Sequence, residues 1–244
     1  MAGKVLIILL LSLLITVGQS MVTFNYKNQC NDSIWLGSIS IPLIGDIDPE
    51  YTPGTSKIVQ MPDQWRGFIW ARTKCSQNAS SYFSCETGDC GYGKKICDSP
   101  VPDVPVTLLN FSITNSVVSY ELSLNHGQNV PVRIQPVGGS LVDGTGLCPV
   151  ADCVQDFSTV CPPDLVAKDK NGQYVGCYSA CDAYKDPRYC CSGPFATPQA
   201  CKTNEYSNIF KKACNLAHTY WGDNQPPIHR CARAASYNIT FCPA

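Results

Sequence analysis

The sequence predicts a mostly β protein that is held together by disulfide bonds. Three observations carry this prediction. Short runs alternate apolar and polar residues with a period of two, Pro and Gly separate these runs, and 16 cysteines lie in the chain of 244 residues. Alternation with a period of two is typical of half-buried strands, and many short strands with turn residues between them favour a sandwich of two sheets.

Four runs show the alternation most clearly, at residues 22–26, 106–114, 118–124 and 237–241. In the first run, Val22, Phe24 and Tyr26 point to one face, and the polar residues between them point to the other. We expect the apolar set of each strand to face the core.

One amphipathic helix is predicted after residue 204. Its apolar positions, spaced i, i+3, i+4 and i+7, are Tyr206, Ile209, Phe210 and Ala213. Asn204 is a suitable N-cap, and lysines at 211 and 212 lie near the C-terminal end, where cations interact favourably with the helix dipole. We interpret the apolar stripe as a packing face and not as a cofactor site.

Residues 1–20 have the three parts of a secretory signal peptide. Lys4 precedes an apolar run at 5–17, and small or polar residues follow up to a cleavage site after Ser20. The apolar run is short for a membrane span, and no second run of spanning length follows it. We therefore expect a mature chain of one domain, residues 21–244, without stable membrane insertion. The alternative is a retained membrane anchor.

The charge of the mature chain is close to zero. Because Lys4 belongs to the signal peptide, the 18 basic residues fall to 17 against 19 acidic ones, which gives a formal charge of −2. Nucleic acids and anionic lipids are bound through extended basic surfaces. We expect no nucleic-acid partner.

All 16 cysteines follow the signal peptide, and their even number predicts eight disulfide bonds in an oxidising compartment. Zinc is the alternative, but none of the three histidines lies beside a cysteine pair at ligand spacing. We expect no metal and no cofactor. Spacing does not determine the pairing, although Cys190 and Cys191 are poorly placed to bond each other. The cysteine-dense, weakly patterned stretch 148–231 predicts a loop-rich lobe.

Several motifs resemble those of one protein family. The segment from Cys85 to Gly91, followed by Gly93 and Cys97, resembles the signature of the thaumatin-like proteins, which are pathogenesis-related proteins of plants. Supporting stretches lie at 24–30, 34–35, 70–75, 189–191, 206–211 and 237–243. One departure is Ser81, where the signature usually begins with Gly.

The resemblance implies a flattened β-sandwich with two smaller disulfide-rich lobes, one of which carries the amphipathic helix. It also implies the pairing Cys30–Cys242, Cys75–Cys85, Cys90–Cys97, Cys148–Cys231, Cys153–Cys214, Cys161–Cys177, Cys181–Cys190 and Cys191–Cys201. In the chain-entropy model, closing the longest of these loops stabilises the fold by about 4–5 kcal/mol. We expect a monomer that resists heat, acid and proteases while it is oxidised.

The resemblance further implies a ligand cleft between the sandwich and one lobe. Family members that bind or slowly hydrolyse β-1,3-glucan have one Arg and four carboxylates there. The corresponding residues of this chain are Arg72, Asn110, Glu121, His126 and Asp223. The formal charge of the cleft thus becomes −1 instead of −3. We expect His126 to lie near Glu121 and Asp223, and its imidazole to respond to mildly acidic pH.

Hydrolysis of a glycosidic bond normally requires two carboxyl groups on either side of the bond. Glu121 and Asp223 are weak candidates for such a pair, and we assign no catalytic residue. Asn110 can act neither as an acid nor as a base. Two simpler interpretations stay open. Arg72 could form a structural ion pair with Glu121 or Asp223, and His126 could be an exposed turn residue without a partner.

The function expected from the resemblance is that of a secreted, antifungal plant-defence protein of the apoplast. It would bind cell-wall β-1,3-glucan or a pathogen protein without turnover, and the alternative is a weak endo-β-1,3-glucanase. The chain lacks the C-terminal extension that is typical of vacuolar members, which favours the extracellular space. Four sequons suggest a glycoprotein, at Asn31, Asn78, Asn110 and Asn238.

Overall fold

The computed structural model describes residues 21–43, 49–97 and 102–244. The predicted signal peptide, residues 1–20, lies outside the described residues. The strands are β1 Met21–Asn28, β2 Ile34–Ile41, β3 Glu50–Tyr51, β4 Ser56–Pro62, β5 Arg66–Arg72, β6 Ser76–Gln77, β7 Phe83–Ser84, β8 Leu108–Thr114, β9 Val117–Ser123, β10 Val132–Val137, β11 Ser140–Leu141, β12 Ala151–Cys153, β13 Val166–Lys168, β14 Tyr174–Cys177, β15 His229–Ala232 and β16 Ser236–Phe241. The helices are α1 Ala180–Tyr184, α2 Pro187–Cys190 and α3 Glu205–Ala213.

Two sheets form the sandwich and confirm the mostly β prediction. The five-stranded sheet has the order β12-β10-β16-β1-β4, and the seven-stranded sheet has the order β11-β15-β9-β8-β5-β2-β3. In the first sheet, β1 pairs in parallel with β16, so that Phe24 lies beside Tyr237. Phe24 and Tyr26 are buried, as the alternation predicted.

Aromatic rings hold the inner faces of the two sheets together. The ring of Phe24 in β1 lies 4.7 Å from that of Phe111 in β8. Tyr237 in β16 packs edge-on against Tyr120 in β9, with ring centroids 5.6 Å apart. Burying such a side chain contributes about 1.5–3 kcal/mol. The core therefore lies between the sheets, and the outer face of the seven-stranded sheet is free for other contacts.

Strand β8 begins two residues later than the alternation predicted. The amide of Val106 donates to the carbonyl of His126 at 2.9 Å. The amide of Thr107 donates to Oδ1 of Asn129 at 3.0 Å. Because these two amides bond to the turn after β9, they are not available to the sheet. The same bonds fix the position of His126.

The second lobe lies between β12 and β15 and contains the predicted helix, α3. Asn204 Oδ1 accepts from the amide of Ser207 at 2.9 Å, and Ser207 Oγ accepts from the amide of Asn204 at 2.9 Å, which forms a capping box. Phe210 is buried and packs against Phe157 at 4.9 Å. The predicted packing stripe is narrower than expected, because Ile209 is 38% exposed at its edge.

The first lobe, residues 76–97, covers part of the outer face of the seven-stranded sheet. Trp70 of β5 is buried beneath it, and its indole N–H donates to the carbonyl of Gly88 at 2.9 Å. Gly37 of β2 is the partner of Trp70 across the strands, and a Cβ at this position would lie 2.4 Å from the indole ring. The glycine therefore allows the ring to lie against the sheet.

Every cysteine lies in the described ranges, and none is free. The eight bonds are the pairs that the resemblance implied, from Cys30–Cys242 to Cys191–Cys201. The bond Cys148–Cys231 joins the segments on either side of the second lobe, and Cys153–Cys214 links the end of α3 to β12. Within residues 21–43, 49–97 and 102–244, no helix has the length and apolar character that crossing a membrane requires.

We predict that Gly37→Ala lowers the free energy of unfolding by about 1–3 kcal/mol, because the added methyl group would overlap the buried indole. Urea unfolding followed by fluorescence measures the change. Gly146→Ala is the matched control, since a Cβ at position 146 meets nothing within 4 Å. Equal stabilities of the two variants would contradict the role given to Gly37.

Candidate functional site

A cavity of about 290 Å³ lies between the outer face of the seven-stranded sheet and the second lobe. Its lining residues come from strands β2, β5, β8 and β9, from the turn after β9, and from two loops. They are Ile39, Phe68, Pro102, Leu108, Glu121, Ser123, Asn125, His126 and Trp221. The cavity is close in size to typical small-molecule sites. It includes two of the five expected cleft residues, Glu121 and His126.

Strand register gives the sheet surface at this cavity one apolar half and one polar half. Ile39 lies opposite Phe68, and Phe68 lies opposite Asn110. Asn110 in turn lies opposite Glu121. Since these four side chains form one row on the outer face, an apolar pair on β2 and β5 adjoins a polar pair on β8 and β9.

Neighbouring side chains fix the carboxylate of Glu121. Its Oε1 accepts a hydrogen bond from Nδ2 of Asn110 at 2.9 Å. Its Oε2 lies 3.5 Å from Nε2 of His218, which is within ion-pair range but longer than a good hydrogen bond. His218 reaches this place because it forms an isolated parallel bridge to Ser123 at the end of β9.

His126 is a partnered residue, so the interpretation as an exposed turn side chain is wrong. Its Nδ1 lies 3.0 Å from Oδ2 of Asp182, and its ring meets that of Trp221 edge-on at 5.4 Å. Burial alone would raise the pKa of Asp182. The hydrogen bonds from His126, Lys185 and Ser179 outweigh burial and hold this pKa below its usual range. The carboxylate that contacts His126 is thus Asp182, while Glu121 lines the same cavity.

Arg72 is fully buried and does not line the cavity. Its guanidinium donates to the carbonyls of Lys94 and Lys95 in the first lobe. Burial lowers the pKa of Arg72 to about 10, and the nearby Asp89 opposes this shift. The interpretation as an ion pair with Glu121 or Asp223 is therefore wrong, since Arg72 instead anchors the first lobe to β5.

Asp223 faces the second lobe and not the cavity. Its side chain is only 5% exposed, and its Oδ2 lies 2.7 Å from Nζ of Lys211. The same oxygen accepts from the amide of Thr219 at 2.8 Å, and Oδ1 accepts from that of Gln225 at 3.1 Å. Burial alone would raise the pKa of Asp223, but Lys211 and the two amides hold it below its usual range.

Comparison with known proteins shows the family of this chain. The model of the Thaumatin family matches residues 28–243. This chain belongs to the Thaumatin family. It is 35% identical to "Thaumatin-like protein 1a" of Malus domestica, with 96% of each chain covered. It is 39% identical to "Pathogenesis-related protein 5" of Arabidopsis thaliana, with 90% of each covered.

A third relative bears the name of an enzyme. "Glucan endo-1,3-beta-glucosidase" of Prunus avium is 35% identical to this chain, with 97% of this chain and 98% of the relative covered. Within the Thaumatin family, similar sequences thus carry the names of both pathogenesis-related proteins and a glucanase. The family alone does not distinguish between binding and hydrolysis in this member. The geometry of the cavity is therefore the basis for the choice between them.

Four residues that line or adjoin the cavity were not predicted from the sequence. Trp221 and Phe68 provide its exposed aromatic surface, Asp182 holds His126, and His218 lies beside Glu121. Trp221 lies two residues before Asp223 and is 52% exposed. An indole directly before a stretch that contains Gly and Pro, residues 222–227, is a usable signal, whereas the contacts of Asp182 and His218 depend on the tertiary fold.

We predict that Asp223→Asn destabilises the protein by about 2 kcal/mol at pH 6. The pKa of Asp223 is lowered in the folded state. Its contribution to the free energy of unfolding is therefore full above the ordinary Asp pKa of about 3.9 and is lost as the pH falls through the lowered pKa. The stability difference between wild type and variant should therefore shrink on acidification.

Urea unfolding at pH 6, 4 and 2.5 measures this difference. Asp32→Asn is the control, since Asp32 is exposed. A difference between wild type and Asp223→Asn that stays constant or grows as the pH falls would contradict the prediction.

Proposed function

We propose that this protein is a secreted plant-defence protein that binds β-1,3-glucan of cell walls in the cavity without hydrolysing it. The observation that carries the proposal is the number of carboxylates. Among the described residues that line the cavity, Glu121 is the only one with a carboxyl group. A glycosidase needs a second carboxyl group on the other side of the bond.

The lining suits a neutral sugar polymer. Pyranose rings have an apolar face that stacks on aromatic side chains, and Trp221 and Phe68 provide such surfaces. Sugar hydroxyls need hydrogen-bond partners when they leave water. Glu121, Asn125 and His126 provide acceptors and donors in the same cavity. A pathogen protein is the second possible partner, and only a binding experiment separates it from glucan.

Secretion is supported by the disulfide content. Eight disulfide bonds persist in an oxidising compartment and are rare in the cytosol. Together with the signal-peptide pattern at residues 1–20, they favour the extracellular space. The apoplast, where fungal walls are met, is therefore the proposed location.

Weak hydrolysis is the alternative function, and the name of the Prunus avium relative supports it. For Asp223 to serve as the second carboxyl group, it would have to leave Lys211 and three hydrogen bonds. Breaking a buried, hydrogen-bonded ion pair typically costs several kcal/mol. Binding without turnover is therefore the better-supported function.

We predict that the purified protein sediments with insoluble β-1,3-glucan and releases no reducing sugar from it. Trp221→Ala should weaken this binding about tenfold or more, because an aromatic anchor is lost. Tyr92→Ala is the matched control, since Tyr92 is an exposed ring of the first lobe that does not line the cavity.

Two outcomes would count against the proposal. Sedimentation that is unchanged in Trp221→Ala would place the glucan elsewhere. Reducing sugar that appears with the wild type and disappears with Glu121→Gln would establish the hydrolase instead.

Glycosylation at two of the four sequons is part of the same proposal. Asn31 and Asn78 are exposed. Nδ2 of Asn110 is bonded to Glu121, and Asn238 lies in β16 between two neighbouring strands. An acceptor asparagine has to be accessible on the surface.

We therefore predict glycans at Asn31 and Asn78 and none at Asn110 or Asn238 in protein secreted from plant cells. Enzymatic deglycosylation in ¹⁸O-water, followed by peptide mass spectrometry, marks each occupied site. The label at Asn110 would refute the prediction and would also be incompatible with the hydrogen bond to Glu121.

A further inference from the structure

A second cavity, of about 250 Å³, adjoins the first one on the outer face of the seven-stranded sheet. Ile39 and Phe68 line both cavities, so the two form one continuous groove. The second cavity continues over Ile41, which is 64% exposed, and ends at Arg66. We call the surface made by Ile39, Ile41, Phe68 and Arg66 the apolar groove.

Strand register explains why this surface is apolar and why it ends in a cation. Ile39 and Phe68 face each other across β2 and β5, and Ile41 faces Arg66 in the next outward-facing row. Both isoleucines and Phe68 are exposed, although isoleucine and phenylalanine are usually buried. A contiguous exposed apolar patch on a soluble protein usually marks a binding surface.

Arg66 carries a charge that the described part of the chain does not neutralise. It is exposed at the start of β5, and no described carboxylate lies within ion-pair distance of it. A guanidinium at the end of an apolar surface is suited to a carboxylate, which it can bind through two parallel hydrogen bonds.

The chemistry of the apolar groove differs from that of the glucan site. A sugar ring could stack on Phe68, but Ile39 and Ile41 offer its hydroxyls no hydrogen-bond partner, and the polar side chains of this cavity are confined to Ser40, Asn110 and Arg66. Ser40 offers little help, since its hydroxyl donates to the carbonyl of Pro42 at 3.1 Å. A hydrocarbon chain needs no such partners and gains from leaving water.

We propose that the apolar groove binds a single-chain amphiphile with a terminal carboxylate, of the fatty-acid type. The carboxylate binds Arg66, and the chain lies over Phe68 and Ile39 and continues into the first cavity, where Leu108 and Pro102 extend the apolar surface. This site goes beyond the proposed glucan function. Because the two ligands would share Ile39 and Phe68, a bound chain should compete with glucan.

Titration calorimetry with dodecanoate below its micellar concentration and with dodecan-1-ol below its solubility limit tests the proposal. Dodecanoate should bind at one site at least about tenfold more tightly than the alcohol, which corresponds to the loss of one charge-assisted interaction. Arg66→Gln should reduce the affinity for dodecanoate to that for dodecan-1-ol and leave the alcohol unaffected. Arg230→Gln is the matched control, since Arg230 is exposed in the same cross-strand row as Arg66.

The apolar part is tested separately. The double variant Ile39→Ser and Phe68→Ser should weaken both probes about tenfold or more. Ile58→Ser, on an exposed position of β4 in the other sheet, should weaken neither. Circular dichroism verifies that each variant is folded, which is expected because all the changed side chains are exposed.

Three results would overturn the proposal. They are no saturable binding of dodecanoate, equal affinities for the acid and the alcohol, and equal losses in Arg66→Gln and Arg230→Gln, which would indicate only general attraction of an anion. Sedimentation of Arg66→Gln with insoluble β-1,3-glucan separates this failure from that of the glucan function, because the variant should sediment like wild type if the glucan site stands by itself.

Discussion

The pairing of the first described strand with the last one is the constraint on which the sandwich depends. β1 and its neighbour β4 belong to the five-stranded sheet only because the central strand, β16, pairs with β1 in parallel, and the bond Cys30–Cys242 fastens this junction across 212 residues. The inner ring cluster needs the same pairing, since Phe24 and Tyr237 come from these two strands. Contacts so distant in sequence are costly in chain entropy, which explains why a covalent bond is placed there.

The cavity depends on a second set of contacts, made by one ammonium group. The side chain of Lys211, in α3, donates to the carbonyl of Ala217 at 2.6 Å and to the carboxylate of Asp223 at 2.7 Å. The loop between these two residues carries Trp221 and, just before it, His218. By holding this loop against α3, Lys211 places an indole over His126 and an imidazole beside Glu121. Asp223 thus shapes the cavity from outside it, as a positioning residue.

The parts of the structure that the sequence predicted are those determined by local chemistry. Alternation of apolar residues revealed four main strands, and an N-cap with apolar spacing revealed α3. The pairing of Asn110 with Glu121 also depends on local structure. A two-residue turn at Asn115 and Ser116, both with positive φ, sets the register of the β8–β9 hairpin. The burial of Arg72 under the first lobe and the ion pair between Asp223 and Lys211 could not be predicted from the sequence. Both depend on contacts with segments that are distant in sequence.

The residue at position 110 determines what Glu121 can do. The resemblance implies a glutamate at this position, where it would lie directly opposite the carboxylate of residue 121 on the neighbouring strand. Two such groups, in contact at this range, cannot both ionise freely and would share a proton, which is one way to make an acid and a base from two carboxyl groups. Asn110 removes that possibility, because its amide N–H donates to Glu121 at 2.9 Å and the amide group does not ionise at ordinary pH. The replacement therefore turns a potential acid and base pair into a fixed hydrogen-bond acceptor, which can orient a sugar hydroxyl but cannot by itself protonate a leaving group.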